Sequence, residues 1–392
     1  MSESTVTDAK ALSTSDIPTK ILHVCTAGIT ARVFLLPVML RLRDEGYDVW
    51  CACTGDADSR SVADAGIPFF PVSISRSISL RDIISVFQLY RFIRKQRFTL
   101  VHTHTAKAGF TGRLAAWLAG VPVLVHTAHG LTMHEYLSRP VRAFYTVLER
   151  WIGRRTTKFI TVTEKIRSDL IRLRVAPPEN IVRIYNGIDF TRFSLETVCA
   201  EARKNWGVDA SACVIGSLSR LVPDKGLEDL IDAFGMVHQT NPEVALVIAG
   251  DGTLMETLNA RARDLKIDTH VRWLGWRDDV PAVLKAFDIF CLPTLREGFG
   301  YVFLEAQAMG VPVVATAIDP LTETMSSEET ALLVPPHSPA ELAAALVRLI
   351  NDAGLCRSMA KKAGHTVRER FDQKDQLNAI IALYHRLLVG RI

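Results

Sequence analysis

Residues 289–309 have the sequence IFCLPTLREGFGYVFLEAQAM, which divides into an apolar run, a glycine-containing loop and a helical pattern. The apolar run Ile289–Pro293 predicts a buried strand, and the helical pattern continues to Met309. Gly298 and Gly300 let backbone N–H groups approach an anion closely, and a helix N-terminus adds partial positive charge. The segment therefore predicts a strand–loop–helix unit with a diphosphate site at its loop.

Apolar runs alternate with helical patterns along the rest of the chain, as in doubly wound parallel sheets. Two series of strands are predicted, and amphipathic helical patterns lie between them. The first series comprises Lys20–Cys25, Asp48–Cys53, Phe69–Val72, Leu100–Thr103, Pro122–His126 and Lys158–Val162. The second comprises Cys213–Ser219, Val244–Gly250, His270–Gly275, Ile289–Pro293, Pro312–Ala317 and Ala331–Val334. The helical patterns include Leu80–Gln96, Arg139–Gly153, Gly226–His238, Pro339–Asn351 and Lys374–Leu388.

These patterns predict an α/β protein with two Rossmann-like domains that face each other across a cleft. The predicted boundaries are 20–198 for the first domain, 199–372 for the second and 373–392 for a C-terminal helix that packs back on the first domain. Residues 1–19 are rich in Ser, Thr, Asp and Lys, and they predict a disordered lead-in. No apolar stretch reaches the roughly 18 to 20 residues of a membrane span, so we expect a cytoplasmic protein.

The composition excludes a disulfide framework and indicates an anionic partner. The 7 cysteines lie in apolar runs, which predicts reduced, buried thiols, and no second pair joins Cys51 and Cys53 as a metal site. Residues 76–174 contain 18 Lys and Arg against 5 Asp and Glu, although the whole chain carries only +4. This basic half could meet nucleic acid, anionic lipid or a phosphorylated substrate, or could be a solvated face.

Charged side chains follow two strands of the second series. Arg220 and Lys225 come after Cys213–Ser219, and together they could neutralise a diphosphate without a metal ion. Glu297 lies on the glycine-containing loop, and Glu305 lies about two turns into the following helix. Because ligands of parallel sheets bind beyond the carboxyl ends of the strands, we expect these four residues to border one cleft.

Histidines and a single glycine follow the strands of the first series. His102 and His104 alternate along one strand and so face the same side, while His126 and His129 follow another. No carboxylate or cysteine joins them at a usual ligand spacing, so no zinc site is predicted. Gly28 lies after the first strand but outside any Gly-x-Gly-x-x-Gly pattern.

Asp56-Ala57-Asp58 has an Asp-x-Asp form that binds metal ions in some other enzymes. It lies in the N-terminal half, far along the chain from the loop of Glu297. We interpret it as a polar loop.

Taken together, the segment Glu297–Glu305 and the pair Arg220 and Lys225 resemble the retaining GT-B glycosyltransferases of family four. Gly250-Asp251-Gly252 and Leu274-Gly275-Trp276 are similar to further landmarks of that family, and the resemblance covers about Lys20 to the C-terminal helix. It implies a GT-B fold with an N-terminal acceptor domain and a C-terminal nucleotide-sugar donor domain. It also implies a retaining hexosyltransferase that needs neither metal nor cofactor.

The resemblance implies roles at the donor. Arg220 and Lys225 would bind the diphosphate, and Glu297 would hold hydroxyls of the sugar. The amides of Gly298, Phe299 and Gly300 would lie near that sugar.

Further implied roles concern the nucleoside and the reacting carbon. Glu305 would bind the ribose, and the backbone of Leu274 and Gly275 would line the base pocket. His129 would contact the sugar near the reacting carbon, and Gly28 would lie under the phosphates and the acceptor. Many members carry two adjacent glycines in that first loop, whereas this chain has only Gly28, a departure that concerns the acceptor side.

Within the family, residues 102–109 and 126–135 are similar to bacterial transferases of polysaccharide and lipid-linked oligosaccharide synthesis. The resemblance implies a UDP-sugar donor, carrying a hexose or N-acetylhexosamine, and an undecaprenyl-diphosphate-linked or oligosaccharide acceptor. The amphipathic stretch Tyr136–Ile152 carries arginines, so it could lie on the inner, anionic face of the plasma membrane. Its apolar stripe is equally compatible with a core-facing helix.

Three other functions stay open at this point. A nucleotide-sugar epimerase or hydrolase could use the same fold without an acceptor, and a catalytically silent protein could bind the nucleotide alone. A nucleic-acid-binding protein could use the basic half, but its basic residues are not interleaved with a recognition motif, so we expect no nucleic-acid partner.

Overall fold

The structure is a computed structural model that describes residues 18–74, 81–131, 138–197 and 201–389. The predicted lead-in lies almost entirely outside these residues, as do Tyr136 and the segment 132–135. Strands and helices alternate along most of the chain, as the sequence pattern predicts.

The first sheet has seven strands in the order β3-β2-β1-β4-β5-β6-β7. The pairs β1–β2, β1–β4, β2–β3, β4–β5 and β6–β7 are parallel. The strands are β1 Lys20–Val24, β2 Asp48–Cys53, β3 Phe69–Pro71, β4 Leu100–His104, β5 Val123–Ala128, β6 Lys158–Thr161 and β7 Ile181–Arg183. The accompanying helices are α1 Gly28–Thr30, α2 Leu36–Asp44, α3 Ala57–Asp64, α4 Arg81–Gln96, α5 Ala106–Leu118, α6 Arg139–Gly153 and α7 Glu164–Arg172. The three-residue strand β7 was not predicted, because so short a run carries no periodic signal.

The second sheet has six parallel strands in the order β10-β9-β8-β11-β12-β13. They are β8 Cys213–Leu218, β9 Val244–Ala249, β10 Val271–Gly275, β11 Ile289–Leu292, β12 Val313–Thr316 and β13 Leu332–Val334. A short α8, Ala202–Asn205, precedes them. The other helices are α9 Leu227–Thr240, α10 Met255–Asp264, α11 Val280–Lys285, α12 Tyr301–Ala308, α13 Leu321–Thr324, α14 Pro339–Asn351, α15 Ala353–Arg370 and α16 Gln373–Leu388.

The strands inside both sheets are almost entirely buried, which explains why they appear as continuous apolar runs, whereas the edge strands β3, β7 and β10 are mostly half-buried. On one face of the first sheet, Leu22, Val24 and Ala52 belong to an apolar cluster that also contains Leu89 of α4 and Ala115 of α5. The opposite face of the same strands carries cysteines and histidines. The prediction of two doubly wound α/β sheets is confirmed.

The chain forms two compact units that do not follow one cut in the sequence. The first comprises the described parts of Met1–Thr127, Trp151–Lys158 and Ile381–Ile392, and the second comprises those of Ala128–Arg150 and Phe159–Ile380. The domain boundaries proposed from the sequence stay predictions. Within the described ranges, none of the helices combines the length and the hydropathy that a bilayer crossing requires.

Candidate active site

The donor-site residues predicted from the sequence lie at the point where the second sheet reverses its strand order. The strands β8 and β11 are neighbours at the centre of this sheet. The strands β9 and β10 follow outward on the side of β8, and β12 and β13 follow outward on the side of β11. In such sheets the crevice beyond the carboxyl ends of the two central strands binds ligands. The segment Arg220–Lys225 follows β8, and the segment Glu297–Gly300 follows β11.

Hydrogen bonds tie these two loops together. The backbone N–H of Leu295 donates to the carbonyl oxygen of Asp224 at 2.9 Å, and the Thr294 hydroxyl donates to the same oxygen at 3.1 Å. Gly226 has φ +63°, and a Cβ atom there would lie 2.0 Å from the carbonyl oxygen of Pro293. The sequence analysis did not single out Asp224 or Gly226, although a Pro-Asp-Lys-Gly turn was visible before α9.

Lys225 and Glu297 form an ion pair. Lys225 Nζ lies 2.5 Å from Glu297 Oε1, and the two side chains are only 13% and 14% exposed. A residue predicted to bind phosphate and one predicted to bind sugar are thus in direct contact across 72 residues of sequence. Because the pair is shielded from water, its attraction is stronger than that of a surface pair.

The side chain of Arg220, unlike that of Lys225, has no partner among the described residues. The guanidinium is exposed and forms no hydrogen bond or ion pair with any of them. A guanidinium presents several N–H donors in a planar fork that suits phosphate oxygens. The site therefore holds one cation that is already paired and one that is available to a ligand.

His129 is held against the glycine-containing loop. A Cβ atom at position 298 would lie 2.1 Å from the carbonyl oxygen of His129, so only glycine permits this approach. Burial lowers the pKa of His129 to about 4, and its imidazole is therefore neutral at pH 7. The contact brings a residue that follows β5 next to the loop that follows β11.

The helix after this loop begins at a glycine in the left-handed region. Gly300 has φ +86° and precedes α12, whose first backbone N–H groups have no helical acceptor. Phe299 is 3% exposed, and its ring packs against Tyr185 and Phe371. The Phe299 ring is therefore part of the core, and the role implied for its backbone amide stays a prediction.

Glu305 lies on α12 and is half-buried. Burial raises its pKa to about 7, and the positive charge of Arg192 opposes this rise. A carboxyl group close to its pKa at neutral pH responds strongly to hydrogen-bond donors, which favour the ionised form. The sequence analysis missed Arg192, because its proximity to Glu305 depends on the tertiary fold.

Leu274 and Gly275 end β10 on the other side of β8. The backbone N–H of Gly250 donates to the carbonyl oxygen of Gly275 at 2.7 Å. Gly275 has φ +63°, and no atom of the described residues lies within 4 Å of the position that a Cβ would occupy. The carbonyl oxygen of Gly275 is therefore already paired with the Gly250 N–H, whereas the space beside its Cα is open among the described residues.

Gly28 lies in the first unit and has a structural reason to be glycine. Its N–H donates to Asp56 Oδ2 at 3.1 Å, and a Cβ atom would lie 1.9 Å from Asp56 Oδ1. The interpretation of Asp56-Ala57-Asp58 as a polar loop is wrong, because Asp56 caps α3 in a capping box with Ser59. Asp58 lies in the first turn of α3 and pairs with Arg32 at 2.7 Å.

Two groups of three potential metal ligands occur among the described residues, and both lie in the first unit. One consists of His23, His102 and His104, and the other of Cys25, Cys51 and Cys53. Neither includes a residue of the donor loops. His102 and His104 do face the same side of β4, with ring centroids 4.0 Å apart. His126 instead lies beside Thr103 and fills the space next to Gly109.

Comparison with known proteins agrees with this geometry. The family model "Glycosyltransferase Family 4" matches residues 33–192, and "Glycosyl transferases group 1" matches residues 200–366. The chain is 30% identical over 356 residues to the Escherichia coli UDP-Gal:alpha-D-GlcNAc-diphosphoundecaprenol alpha-1,3-galactosyltransferase, covering 89% of this chain and 92% of that protein. It is 27% identical over 312 residues to the Staphylococcus aureus capsular polysaccharide biosynthesis glycosyltransferase CapM, covering 77% and 80%.

Solved structures show the same fold. Anabaena Alr3699/HepE in complex with UDP and glucose superposes with a TM-score of 0.82 at 24% identity, covering 94% of this chain and all of that one. The resemblance stated from the sequence is therefore confirmed for family and fold. The chain belongs to the family 4 glycosyltransferases, with the GT-B fold.

Proposed function

We propose that the protein transfers a hexose or N-acetylhexosamine from a UDP-sugar to a lipid-linked saccharide, with retention of anomeric configuration. The observation that carries this proposal is the arrangement at the reversal point of the second sheet. There, Arg220 is available to an anion, and the Lys225–Glu297 pair lies in the adjoining loop.

The choice of donor and acceptor rests on relatives. The Escherichia coli relative is named for UDP-galactose and for a diphosphoundecaprenol-linked acceptor, and the Anabaena neighbour is described in complex with UDP and glucose. The local excess of basic residues over 76–174 suits an acceptor that itself carries a diphosphate. Which sugar is moved is a matter for donor screening.

In the proposed step, the bond between the anomeric carbon and the phosphate oxygen breaks, and its electron pair stays on the diphosphate. Arg220, Lys225 and the N-terminus of α12 would stabilise this growing negative charge. The acceptor hydroxyl would attack from the face that the diphosphate leaves. Its proton would pass to the departing phosphate oxygen, so that no metal and no second carboxylate is required.

Glu297 and His129 would position the sugar. When a donor binds, Lys225 can exchange its contact with Glu297 for one with the diphosphate, and Glu297 is then left to accept hydrogen bonds from sugar hydroxyls. His129 is neutral, so it can donate a hydrogen bond without repelling an oxocarbenium-like sugar. Gly298 allows His129 to lie beside the loop that would hold the sugar.

The test combines binding with turnover. We expect calorimetry in the presence of EDTA to show UDP binding that exceeds GDP and ADP binding. Arg220→Ala should lower turnover by about a hundredfold or more, as the loss of a transition-state donor does. Arg263→Ala is the matched control, because it removes another exposed arginine at the end of α10. Equal activity of the two variants would contradict the assignment of Arg220.

An epimerase or hydrolase on this fold is the second candidate. It would convert or release the donor sugar without any acceptor. Product analysis with and without a diphosphate-linked saccharide separates the two, because our proposal requires the acceptor to be extended by one sugar.

We further propose that α6 touches an anionic membrane. Val141, Phe144 and Val147 on this helix are 41%, 54% and 61% exposed, and their spacing places them near one face. The exposed Arg139 and Arg142 flank them. Tyr145, Leu148, Trp151 and Ile152 of the same helix are buried or half-buried, so α6 has both a core-facing side and an exposed apolar side. Basic residues beside exposed apolar ones are typical of helices at anionic lipid surfaces.

A second exposed apolar strip occurs on α4. Ile83, Ile84 and Phe87 are 68%, 57% and 56% exposed, and the Arg91 guanidinium lies 5.8 Å from the Phe87 ring centroid. This strip has the same combination of apolar and basic side chains as the one on α6.

Co-sedimentation with vesicles tests the membrane proposal. We expect binding to phosphatidylglycerol vesicles, and weaker binding to phosphatidylcholine vesicles or at high salt. Phe144→Glu should weaken the binding, whereas Met236→Glu, at a 43% exposed apolar position of α9, should not. Equal binding of both variants and the unaltered protein would show that α6 is not the contact.

A further inference from the structure

One face of the first sheet carries sulfur and imidazole side chains near the carboxyl ends of β1, β2 and β4. In the parallel register, Val24 of β1 lies beside Ala52 of β2, and His23 lies beside Cys51. Because side chains alternate along strands, His23, Cys51 and Cys53 face one side while Val24 and Ala52 face the other. Cys25 directly follows β1, and its N–H donates to the Ala52 carbonyl oxygen at 3.0 Å, which continues the ladder.

The three cysteines of this face lie close together. The Sγ atoms of Cys25, Cys51 and Cys53 are all within 4.8 Å of one another, and all three residues are fully buried. Sulfur atoms bound tetrahedrally to one ion at about 2.3 Å would lie roughly 3.8 Å apart. The spacing is therefore within about 1 Å of what an ion needs, and side-chain rotation can supply the difference.

Metals bind the thiolate form of cysteine, and the three thiols lie side by side on this face. Apart from a contact of Cys25 Sγ with the carbonyl oxygen of Ala27 at 3.5 Å, the thiols interact chiefly with each other.

The neighbouring histidines are less suited to a metal. His102 Nδ1 lies 2.5 Å from the Tyr384 hydroxyl, and His102 Nε2 lies 2.7 Å from the Thr127 hydroxyl. His23 Nδ1 and His104 Nε2 are 3.1 Å apart. Both ring nitrogens of His102 are therefore engaged in hydrogen bonds, and binding an ion there would break one of them.

We propose that Cys25, Cys51 and Cys53 bind one thiophilic divalent cation of the Zn²⁺ and Cd²⁺ class. Each thiol that binds gives up its proton to solvent, and no electron is transferred. The ion would join the ends of β1 and β2, from which the loops that carry Gly28 and Asp56 emerge. The site involves no donor-loop residue, so the proposal does not depend on the transfer reaction.

X-ray absorption on the full-length protein tests the coordination directly. The reduced, chelator-treated protein is equilibrated with ZnCl₂, freed of excess metal and analysed for bound zinc. We expect one zinc per chain with three sulfur neighbours at about 2.3 Å. No retained zinc, or zinc surrounded only by nitrogen and oxygen, would overturn the proposal. This measurement needs no substitution and so does not depend on a variant's folding.

Variants then assign the ligands. Cys53→Ala should lower the affinity for Zn²⁺ by more than about 100-fold. Even the loss of a residue that only hydrogen-bonds to a metal ligand lowers metal affinity by about 10- to 100-fold. Cys291→Ala is the matched control, since Cys291 is also a fully buried strand residue but lies outside the cluster. Near-ultraviolet absorption of the Cd²⁺–thiolate bonds should be lost in the first variant and kept in the second. Unchanged Cd²⁺ absorption in Cys53→Ala would refute the assignment.

Discussion

The ionisation of Glu305 should make donor binding depend on pH in a defined direction. Burial raises the pKa of this carboxyl to about 7 in the free protein. If its carboxylate accepts hydrogen bonds from the ribose hydroxyls, the ionised form binds the donor better than the protonated form. About one tenth of the carboxyls are ionised at pH 6 and about nine tenths at pH 8, so affinity should rise about tenfold between these values.

The assay is calorimetric titration with an intact UDP-sugar, in the absence of acceptor, at pH values from 6 to 8. An intact UDP-sugar has no phosphate group that titrates in this range, unlike UDP with its terminal phosphate. His129, with a pKa of about 4, stays neutral throughout and does not contribute. Glu305→Gln should bind more weakly at pH 8 and lose the pH dependence. A flat profile for the unaltered protein, or an unchanged slope in Glu305→Gln, would refute the role in ribose binding.

The same pKa predicts a change in stability that needs no ligand. Folding raises the pKa of this carboxyl from 4.5 to about 7. The folded state is therefore destabilised at any pH at which the carboxyl ionises more readily in the unfolded chain. The penalty is absent well below pH 4.5 and grows to about 3 kcal/mol above pH 7. Glu305→Gln should therefore raise the free energy of unfolding by about 3 kcal/mol at pH 8 but by less than about 1 kcal/mol at pH 5. Urea denaturation at both values measures this difference, and an equal gain at both would contradict the pKa.

Two further predictions concern the donor loops. Gly298→Ala should lower both turnover and stability, the latter by about 1–3 kcal/mol, because its Cβ would lie 2.1 Å from the His129 carbonyl oxygen. Gly130→Ala is the matched control in activity assays and thermal melting, since no atom of the described part of the chain lies within 4 Å of its Cβ position, and an equal effect would count against the contact. Lys225→Met should cost about 1–3 kcal/mol of stability by leaving the Glu297 carboxylate unpaired, and it should lower kcat by about a hundredfold. Adding Glu297→Gln should recover part of the stability but none of the activity, and a recovery of activity would show that the lysine only neutralises the glutamate.

The fold could be predicted from the sequence because each of its elements has a local signal. The strand β2 and the helix α6 have the bounds that their patterns predict, since a buried parallel strand is a continuous apolar run and an amphipathic helix has a period of 3.6. The start of α3 also had a local signal, because Asp56 and Ser59 have the spacing of a capping box.

Contacts between distant segments could not be predicted in the same way. The proximity of Lys225 to Glu297 depends on β8 and β11 being neighbours, and the sequence does not state the strand order. The cysteine cluster depends similarly on the register of β1 against β2, because a shift of one residue would place Cys25 on the face opposite Cys53. Such contacts follow from tertiary structure alone.

The pairing of Lys225 changes how the donor site should attract its ligand. The sequence suggests two free cations, but the ion pair with Glu297 leaves Arg220 as the exposed, unpaired charge of the two. Arg220 should therefore contribute more to the first encounter with the donor, while Lys225 contributes after it has left Glu297.

Steering by an exposed charge weakens as salt screens it, whereas a shielded contact is screened much less. Arg220→Ala should consequently reduce the salt dependence of donor association, and Lys225→Met should leave it nearly unchanged while accelerating dissociation. Stopped-flow measurements at several salt concentrations give the association and dissociation rates of each variant. If Lys225→Met instead of Arg220→Ala reduced the salt dependence of association, the ion pair would not persist in solution.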